Sequence, residues 1–231
     1  MTSPAQILRN SDAVLLDFDG PVCSVFGGFP DHEVADELRG LFRGELPEAV
    51  GESRDPFDVL RYAAGAGTVA TTVEQHLRDL EVRAVKVASP TPGTAQVLET
   101  LHDFGIPVFV VSNNSAAAVS AYFEAHGMAG LIAGVSARTG PEVDQLKPKP
   151  YLLKRAIEAL ETAPGRCVMI GDSETDLEAS RHAGTLAIGY ANKLGKRQRF
   201  EQYRPNAIID HMHELARGTP PRGAGRRGGV R

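Results

Sequence analysis

Val14-Leu15-Leu16-Asp17-Phe18-Asp19-Gly20 decides how this chain folds. A short apolar run bounded by turn residues predicts a strand buried on both faces, and such strands belong to parallel sheets covered by helices on either side. The two carboxylates that follow fall at the strand's carboxyl end, the edge where open α/β sheets place their ligands. Gly20-Pro21 bends the chain there, so Asp19 can turn back beside Asp17. Paired carboxylates in unlike surroundings take different tasks, one as nucleophile and one as general acid and base. An Asp-Gly turn that merely closes a strand is the other reading of the same residues.

Outward from this stretch the same kind of run recurs: Val108 to Val111, Leu131 to Ala133, Cys167 to Ile170, Leu186 to Ile188, and Ala207 to Ile209 as an added edge. Amphipathic segments fill the gaps. A helix is predicted from Thr91-Pro92, with threonine as N-cap and proline in the first turn. Others are predicted over 115–126, 150–161 and 174–183, the first and last closed by Gly127 and Gly184. The pattern is α/β, a Rossmann-like doubly wound parallel sheet. Residues 23–88 break the rhythm, because they hold helical patterning and no convincing strand. Asp55-Pro56 reads as a helix start, and Val69, Val73, Leu77, Leu80, Ala84 and Val87 trace one apolar face. The expected layout is an α/β core of residues 1–22 and 89–216 with a small helical domain, 23–88, inserted after the first strand.

Three further pieces carry chemistry. Ser112-Asn113-Asn114 follows a strand and is read as opening a helix, where free N–H groups and the positive dipole end suit a phosphate. Plain N-capping explains the same residues. Lys147 stands in Lys147-Pro148-Lys149-Pro150, where the prolines fix an extended approach that can hold its ammonium toward the strand ends; a solvated basic loop is the alternative. Lys149 is expected to face solvent. In Gly171-Asp172-Ser173-Glu174-Thr175-Asp176, Asp172 ends a strand and Asp176 lies one helical turn on, on the same side. With Asp17 they make a cluster of hard oxygen donors suited to Mg2+, which also relieves their mutual repulsion.

The chain has 231 residues, 42% hydrophobic and 23% charged, enough for one well-buried core and a small accessory domain. Cys23 and Cys167 are far apart, without C-x-x-C spacing, and read as reduced packing residues. The start has no basic segment leading into an apolar one, and no apolar run nears ~18 residues, so a cytoplasmic location without a membrane partner is expected. Net charge is -4, although residues 217–231 carry five arginines and no acid. The body is therefore acidic and a poor binder of nucleic acid. The tail, rich in Gly and Pro and without aromatic residues for stacking, is expected to be a disordered, solvated extension. His182, His211 and His213 have no metal-ligand spacing, and Gly65-Ala66-Gly67 reads as a helix break. Arg54, Arg61 and Tyr62 are expected to be solvated positions of the insert rather than substrate contacts.

Taken together, the four motifs resemble the haloacid dehalogenase-like hydrolase superfamily on its phosphatase branch, similar to its phosphoglycolate phosphatase and β-phosphoglucomutase-like members, over roughly residues 12 to 212. The resemblance implies a Mg2+-dependent phosphatase of a small phosphorylated metabolite, working through an aspartyl-phosphate. It makes Asp17 the nucleophile, and Asp19 the acid that protonates the leaving oxygen and then activates water. Ser112, Asn113 and Lys147 would bind phosphate. Asp17, the main-chain carbonyl of Asp19 and Asp172 would hold the metal, with Asp176 supporting the shell. The helical insert resembles the mobile cap that closes over the site. One departure is Pro21, where the family usually has Thr, so a hydroxyl and a backbone N–H are missing beside the nucleophile. A sugar-phosphate mutase and a non-catalytic regulatory protein of the same fold stay open as alternatives. The substrate and the oligomeric state are not legible.

Overall fold

In the computed structural model, which describes residues 3–67 and 69–216, the chain opens with α1 (Pro4–Asn10), β1 (Ala13–Leu16) and the two-residue strand β2 (Cys23–Ser24). Four helices follow: α2 (Asp31–Arg39), α3 (Glu48–Gly51), α4 (Pro56–Gly65) and α5 (Val69–Val85). After β3 (Ser89–Pro90) and α6 (Thr94–Asp103) come β4 (Val108–Ser115), α7 (Ala116–Ala125), β5 (Gly134–Arg138) and α8 (Tyr151–Ala159). The chain continues through β6 (Cys167–Gly171), α9 (Glu174–Ala183), β7 (Leu186–Tyr190), α10 (Lys196–Glu201) and β8 (Ala207–Ile209). Six strands form one parallel sheet in the order β5-β4-β1-β6-β7-β8. The basic tail, residues 217–231, lies outside the described residues.

β1 sits between β4 and β6 with Val14 beside Val108 and Leu16 beside Ile170. Strand side chains alternate, and here both sets are buried. Val14, Leu16, Val168 and Ile170 enter one apolar core with α6 and α7. Ala13, Leu15, Cys167 and Met169 enter the other with α8 and α9. This two-sided burial is why the runs are continuous rather than alternating. Val34, Leu38, Leu60, Val73 and Leu77 of the inserted helices belong to that second core, so their apolar faces are continuous with the sheet's. Val87, assigned by pattern to the same face, is instead 62% exposed beyond the end of α5.

Local chemistry corrects three boundaries. Leu131-Ile132-Ala133 is not strand: Ala129–Leu131 is a 3-10 turn and β5 starts at Gly134, opposite Phe109. A Cβ at Gly134 would lie 2.6 Å from the Phe109 ring, so only glycine lets the strand approach there. The helix read from Thr91-Pro92 starts at Thr94, because Thr91 is occupied in holding the turn after β1, its hydroxyl donating to the Gly20 carbonyl at 2.5 Å. Ser112 does not open α7: β4 runs on to Ser115, which caps the helix by accepting from the Ala118 N–H. Asp55 caps α4 as expected, with Pro56 behind it. Among the described residues, no helix is long and apolar enough to cross a membrane.

Candidate active site

Asp17, Phe18 and Asp19 leave β1 at its carboxyl end. Phe18 is fully buried, its ring edge-on to Tyr122 at 5.4 Å between centroids. Burying that ring stabilises the fold by about 1.5–3 kcal/mol and pins the backbone between the two acids. The turn beyond is closed by Val22 N–H to Phe18 O and Gly20 N–H to Cys23 O. Neither bond uses an N–H at position 21, so Pro21 fits without loss. Its carbonyl accepts from the Thr94 hydroxyl at 2.5 Å, a second brace beside that of Thr91.

Lys147 is the buried centre of the constellation. Its Nζ is 2.6 Å from Asp17 Oδ1, 2.6 Å from Asp176 Oδ1 and 3.2 Å from the Val111 carbonyl. The Asn113 side chain fixes the lysine's backbone from both sides, donating to the Lys147 carbonyl at 3.2 Å and accepting from its N–H at 2.8 Å. The structure thus places the Asn113 side-chain amide on the Lys147 backbone. Ser112 is buried at the same sheet edge, accepting from the Asn114 N–H at 3.1 Å. Lys149 is exposed.

One carboxylate oxygen each from Asp17, Asp172 and Asp176 lies within 4.8 Å of the others. Burial raises the pKa of Asp17 well above the ordinary carboxylate value, and Asp176 adds to this against the pull of Lys147. For Lys147 burial alone would favour the neutral amine, but Asp17 and Asp176 outweigh it and raise its pKa. Asp19 opens onto the cleft and accepts from the Val25 N–H at 2.8 Å. Its recessed position pushes its pKa up to about 6, with Asp172 also raising it and Lys193 opposing.

The donor set sorts itself by use. Both Asp176 oxygens are taken, one by Lys147 and the other by the Ser173 N–H and hydroxyl in a capping box. Asp17 Oδ1 accepts from Lys147 and the Phe18 N–H. Asp172 Oδ2 accepts from Asn192 at 2.9 Å and Lys196 at 2.6 Å. That leaves Asp17 Oδ2 and Asp172 Oδ1 without a protein donor among the described residues, and the Asn192 Oδ1 is buried and unpartnered. Hard, unspent oxygens of this kind fit a divalent cation with bound water. Gly20, at φ +99°, closes the pocket: a Cβ there would lie 2.4 Å from the Asp172 carboxyl. Gly20→Ala is therefore expected to cost at least about 1–2 kcal/mol from the backbone alone, read as a lowered urea midpoint.

Several of these residues carry no motif. Asn192, just after β7, and Lys196, which opens α10, stand 20 and 24 residues beyond Asp172. The Arg138 guanidinium is buried between Glu74 Oε1 at 2.5 Å and Glu81 Oε2 at 2.6 Å, and also donates to the Asn113 carbonyl at 3.1 Å. Glu81 in turn accepts from Asn114 Nδ2 and the Ser115 N–H. The inserted helix α5 is thereby wired to the end of β4 that carries Ser112 and Asn113. The available signal was two acids seven residues apart, beside the apolar stripe of α5. Arg138→Met is expected to lower stability by about 3 kcal/mol, because Glu81 stays buried without its cation while Glu74 keeps Arg78. Chemical denaturation reads this directly.

Comparison with known proteins follows the same lines. A family profile described as haloacid dehalogenase-like hydrolase matches residues 12–184. The chain belongs to this family of hydrolases and is an enzyme of the family. It is 28% identical over 240 residues to a phosphoglycolate phosphatase of Neisseria meningitidis serogroup A, covering 93% of this chain and 96% of that one. A pyrophosphatase PpaX of Bacillus mycoides is 32% identical over 74 residues, which span 32% of this chain and 34% of the relative. Among solved structures, CbbY from Rhodobacter sphaeroides, in complex with phosphate, superposes with a TM-score of 0.69 at 19% identity, over 89% of this chain and 96% of that one.

Proposed function

We propose that the protein is a Mg2+-dependent phosphatase that hydrolyses a small phosphorylated metabolite through an aspartyl-phosphate on Asp17. The observation that carries this reading is the pairing of a buried Asp17, held on Lys147 Nζ at 2.6 Å, with an Asp19 at the same strand end that opens on the cleft. The phosphoglycolate phosphatase and pyrophosphatase relatives support it, because both names describe release of phosphate from small molecules.

Asp17 attacks phosphorus in line through a carboxylate oxygen, and the bond from phosphorus to the ester oxygen breaks. Asp19, protonated, gives its proton to the departing oxygen. As a carboxylate it then takes a proton from water, whose oxygen attacks the same phosphorus and releases Asp17 and inorganic phosphate. Lys147 offsets the negative charge of both the nucleophile and the phosphoryl oxygens. Asp17, the Asp19 carbonyl and Asp172 would hold Mg2+, with Asp176 supporting them; bound there, the cation supplies further neutralisation of the phosphoryl group. Ser112 and the Asn113 main chain, beside Lys147, are assigned to the phosphate. Residues 23–88 are assigned as a cap over a core of 1–22 and 89–216, closing the cleft and excluding water.

A phosphate-release screen over phosphorylated metabolites tests the reading. Turnover with Mg2+ that stops on chelation is expected; isomerisation of β-glucose 1-phosphate without free phosphate would replace it by the mutase. The acid role of Asp19 adds a pH signature. Its raised pKa leaves the proton present below about 6 and lost above it. With an alkyl phosphate, whose leaving oxygen needs that proton, kcat/KM is expected to fall as pH rises above about 6. With an aryl phosphate, whose leaving oxygen departs as an anion, the fall should be shallow. Parallel profiles for the two esters would remove Asp19 from the acid role.

A further inference from the structure

We infer that Thr91 and Thr94 are positioning residues for proton transfer: lying on the segment that returns from the insert, they hold the turn from Gly20 to Val22 and so aim Asp19 into the cleft. The inference rests on the phosphatase reading and adds two residues to it. Asp19, Gly20 and Thr91 all line the cavity of about 650 Å3 that adjoins this turn.

The turn is held along its whole length from one side. Thr91 Oγ1 donates to the Gly20 carbonyl at 2.5 Å, Thr94 Oγ1 donates to the Pro21 carbonyl at 2.5 Å, and the Thr91 N–H donates to the Val22 carbonyl at 3.0 Å. Three successive carbonyls thus take their donors from one short segment. The turn itself offers little in their place, because Pro21 has no N–H and the Gly20 N–H goes to the Cys23 carbonyl. Asp19 is tied beyond the turn as well, its carboxylate accepting from the Val25 N–H at 2.8 Å. There is no room for slack on the far side: Gly20, at φ +99°, packs so near Asp172 that a Cβ would lie 2.4 Å from its carboxyl.

Both hydroxyls are directed away from a nearer use. Thr91 and Thr94 flank the start of α6, where a threonine ordinarily accepts from the helix's free N–H groups. Instead α6 has Gly93 as its N-cap, in left-handed backbone and with no side-chain cap. The hydroxyls reach 71 and 73 residues back to the turn. A local rule broken beside an active site is the pattern expected where function takes precedence over local stability. Location points the same way. The chain leaves for the insert through β2 and returns through β3, and these strands pair, with Cys23 opposite Pro90 and Ser24 opposite Ser89. The threonines grip the turn on the core side of that ribbon, so an insert that swings about it leaves Asp19 in place.

The test compares kcat for an alkyl and an aryl phosphate, with Mg2+, on the full chain. Only the alkyl leaving oxygen needs the proton of Asp19, so a misaimed acid lowers one rate and spares the other. In Thr91→Val, alkyl turnover is expected to fall about tenfold or more, while aryl turnover changes by less than about threefold. Thr94→Val should act in the same direction; Thr94 is buried, and half-buried Thr91 carries the test if that variant does not fold. Thr91→Ser and Thr94→Ser keep the hydroxyl and should restore most of the alkyl rate. Thr100→Val is the control, since that hydroxyl stays within α6, donating to the Gln96 carbonyl at 2.6 Å, and its loss should leave the ratio intact. A merely structural role would lower both rates together. Equal losses for the two esters, or a ratio unchanged in Thr91→Val, overturns the inference and leaves the phosphatase reading standing. A wild type that releases phosphate from neither ester removes that reading and the proton-transfer role with it. Hydrogen exchange over residues 17–25 then still decides the hold on the turn: faster exchange in the valine variants supports it, and unchanged exchange overturns it.

Discussion

Asp17→Asn is expected to abolish turnover, by at least about 10^4-fold in kcat, in a protein that is no less stable than the parent. The loss follows from chemistry: an amide oxygen cannot form the covalent intermediate, and Asp19 has no second nucleophile to serve. The stability argument runs the other way. Asp17 is buried beside Asp172 and Asp176, so its pKa is raised, and ionising it opposes folding. A group whose folded pKa is raised lends stability below its unfolded value, near 4, and that stability is lost as pH rises through the folded value. Asparagine fills the same space without that charge, and Lys147 keeps Asp176 Oδ1 and the Val111 carbonyl as acceptors. Without Mg2+ at pH 8, the variant should match or exceed the parent by about 1–2 kcal/mol in urea, an ordinary trade between activity and stability. Retained phosphate release in a folded Asp17→Asn protein would defeat the covalent route.

The division between what the chain's residues reveal and what they hide follows sequence distance. Strands buried on both faces announce themselves as runs, and acids placed at their ends mark one edge of the sheet; β1 with Asp17 and β6 with Asp172 are legible for that reason. Lys147 was legible through the prolines around it, although nothing local showed that Asn113, 34 residues earlier, would clamp its backbone. β5 was misplaced because Gly134-Val135-Ser136-Ala137-Arg138 has no apolar run and only a short alternation ending on a charge, and its arginine is buried only because Glu74 and Glu81 arrive from a helix 57 to 64 residues away. Thr91 looked like a cap because a threonine before proline usually is one. Its actual partner, the Gly20 carbonyl, lies 71 residues back.

Lys147→Met is expected to have the second large effect, and its size should depend on both pH and metal. The lysine is 3% exposed and bonded to two carboxylates, so its removal leaves Asp17 and Asp176 buried together without a cation. Breaking such a pair costs about 3–5 kcal/mol when the remaining charges stay ionised. They need not stay ionised at low pH. With the ammonium gone, the pull that lowers the Asp17 pKa disappears and the repulsion from Asp176 remains, so the folded value rises further above the unfolded one. The deficit should then be small near pH 5, where a shared proton can replace the cation, and reach its full size towards pH 8. Mg2+ offers the other means of relief, because a divalent ion among Asp17 and Asp172 neutralises the charge that the lysine no longer meets. At pH 8 the variant should gain more stability from Mg2+ than the parent does, while its phosphate release stays depressed, because the cation cannot stand both at the carboxylates and at the place on the phosphoryl group where the ammonium acts. Urea titrations at pH 5 and pH 8, each with Mg2+ and with chelator, separate the two contributions. A deficit that ignores both pH and metal would mean that Lys147 holds the fold through its packing, and would remove it from the charge balance of the site.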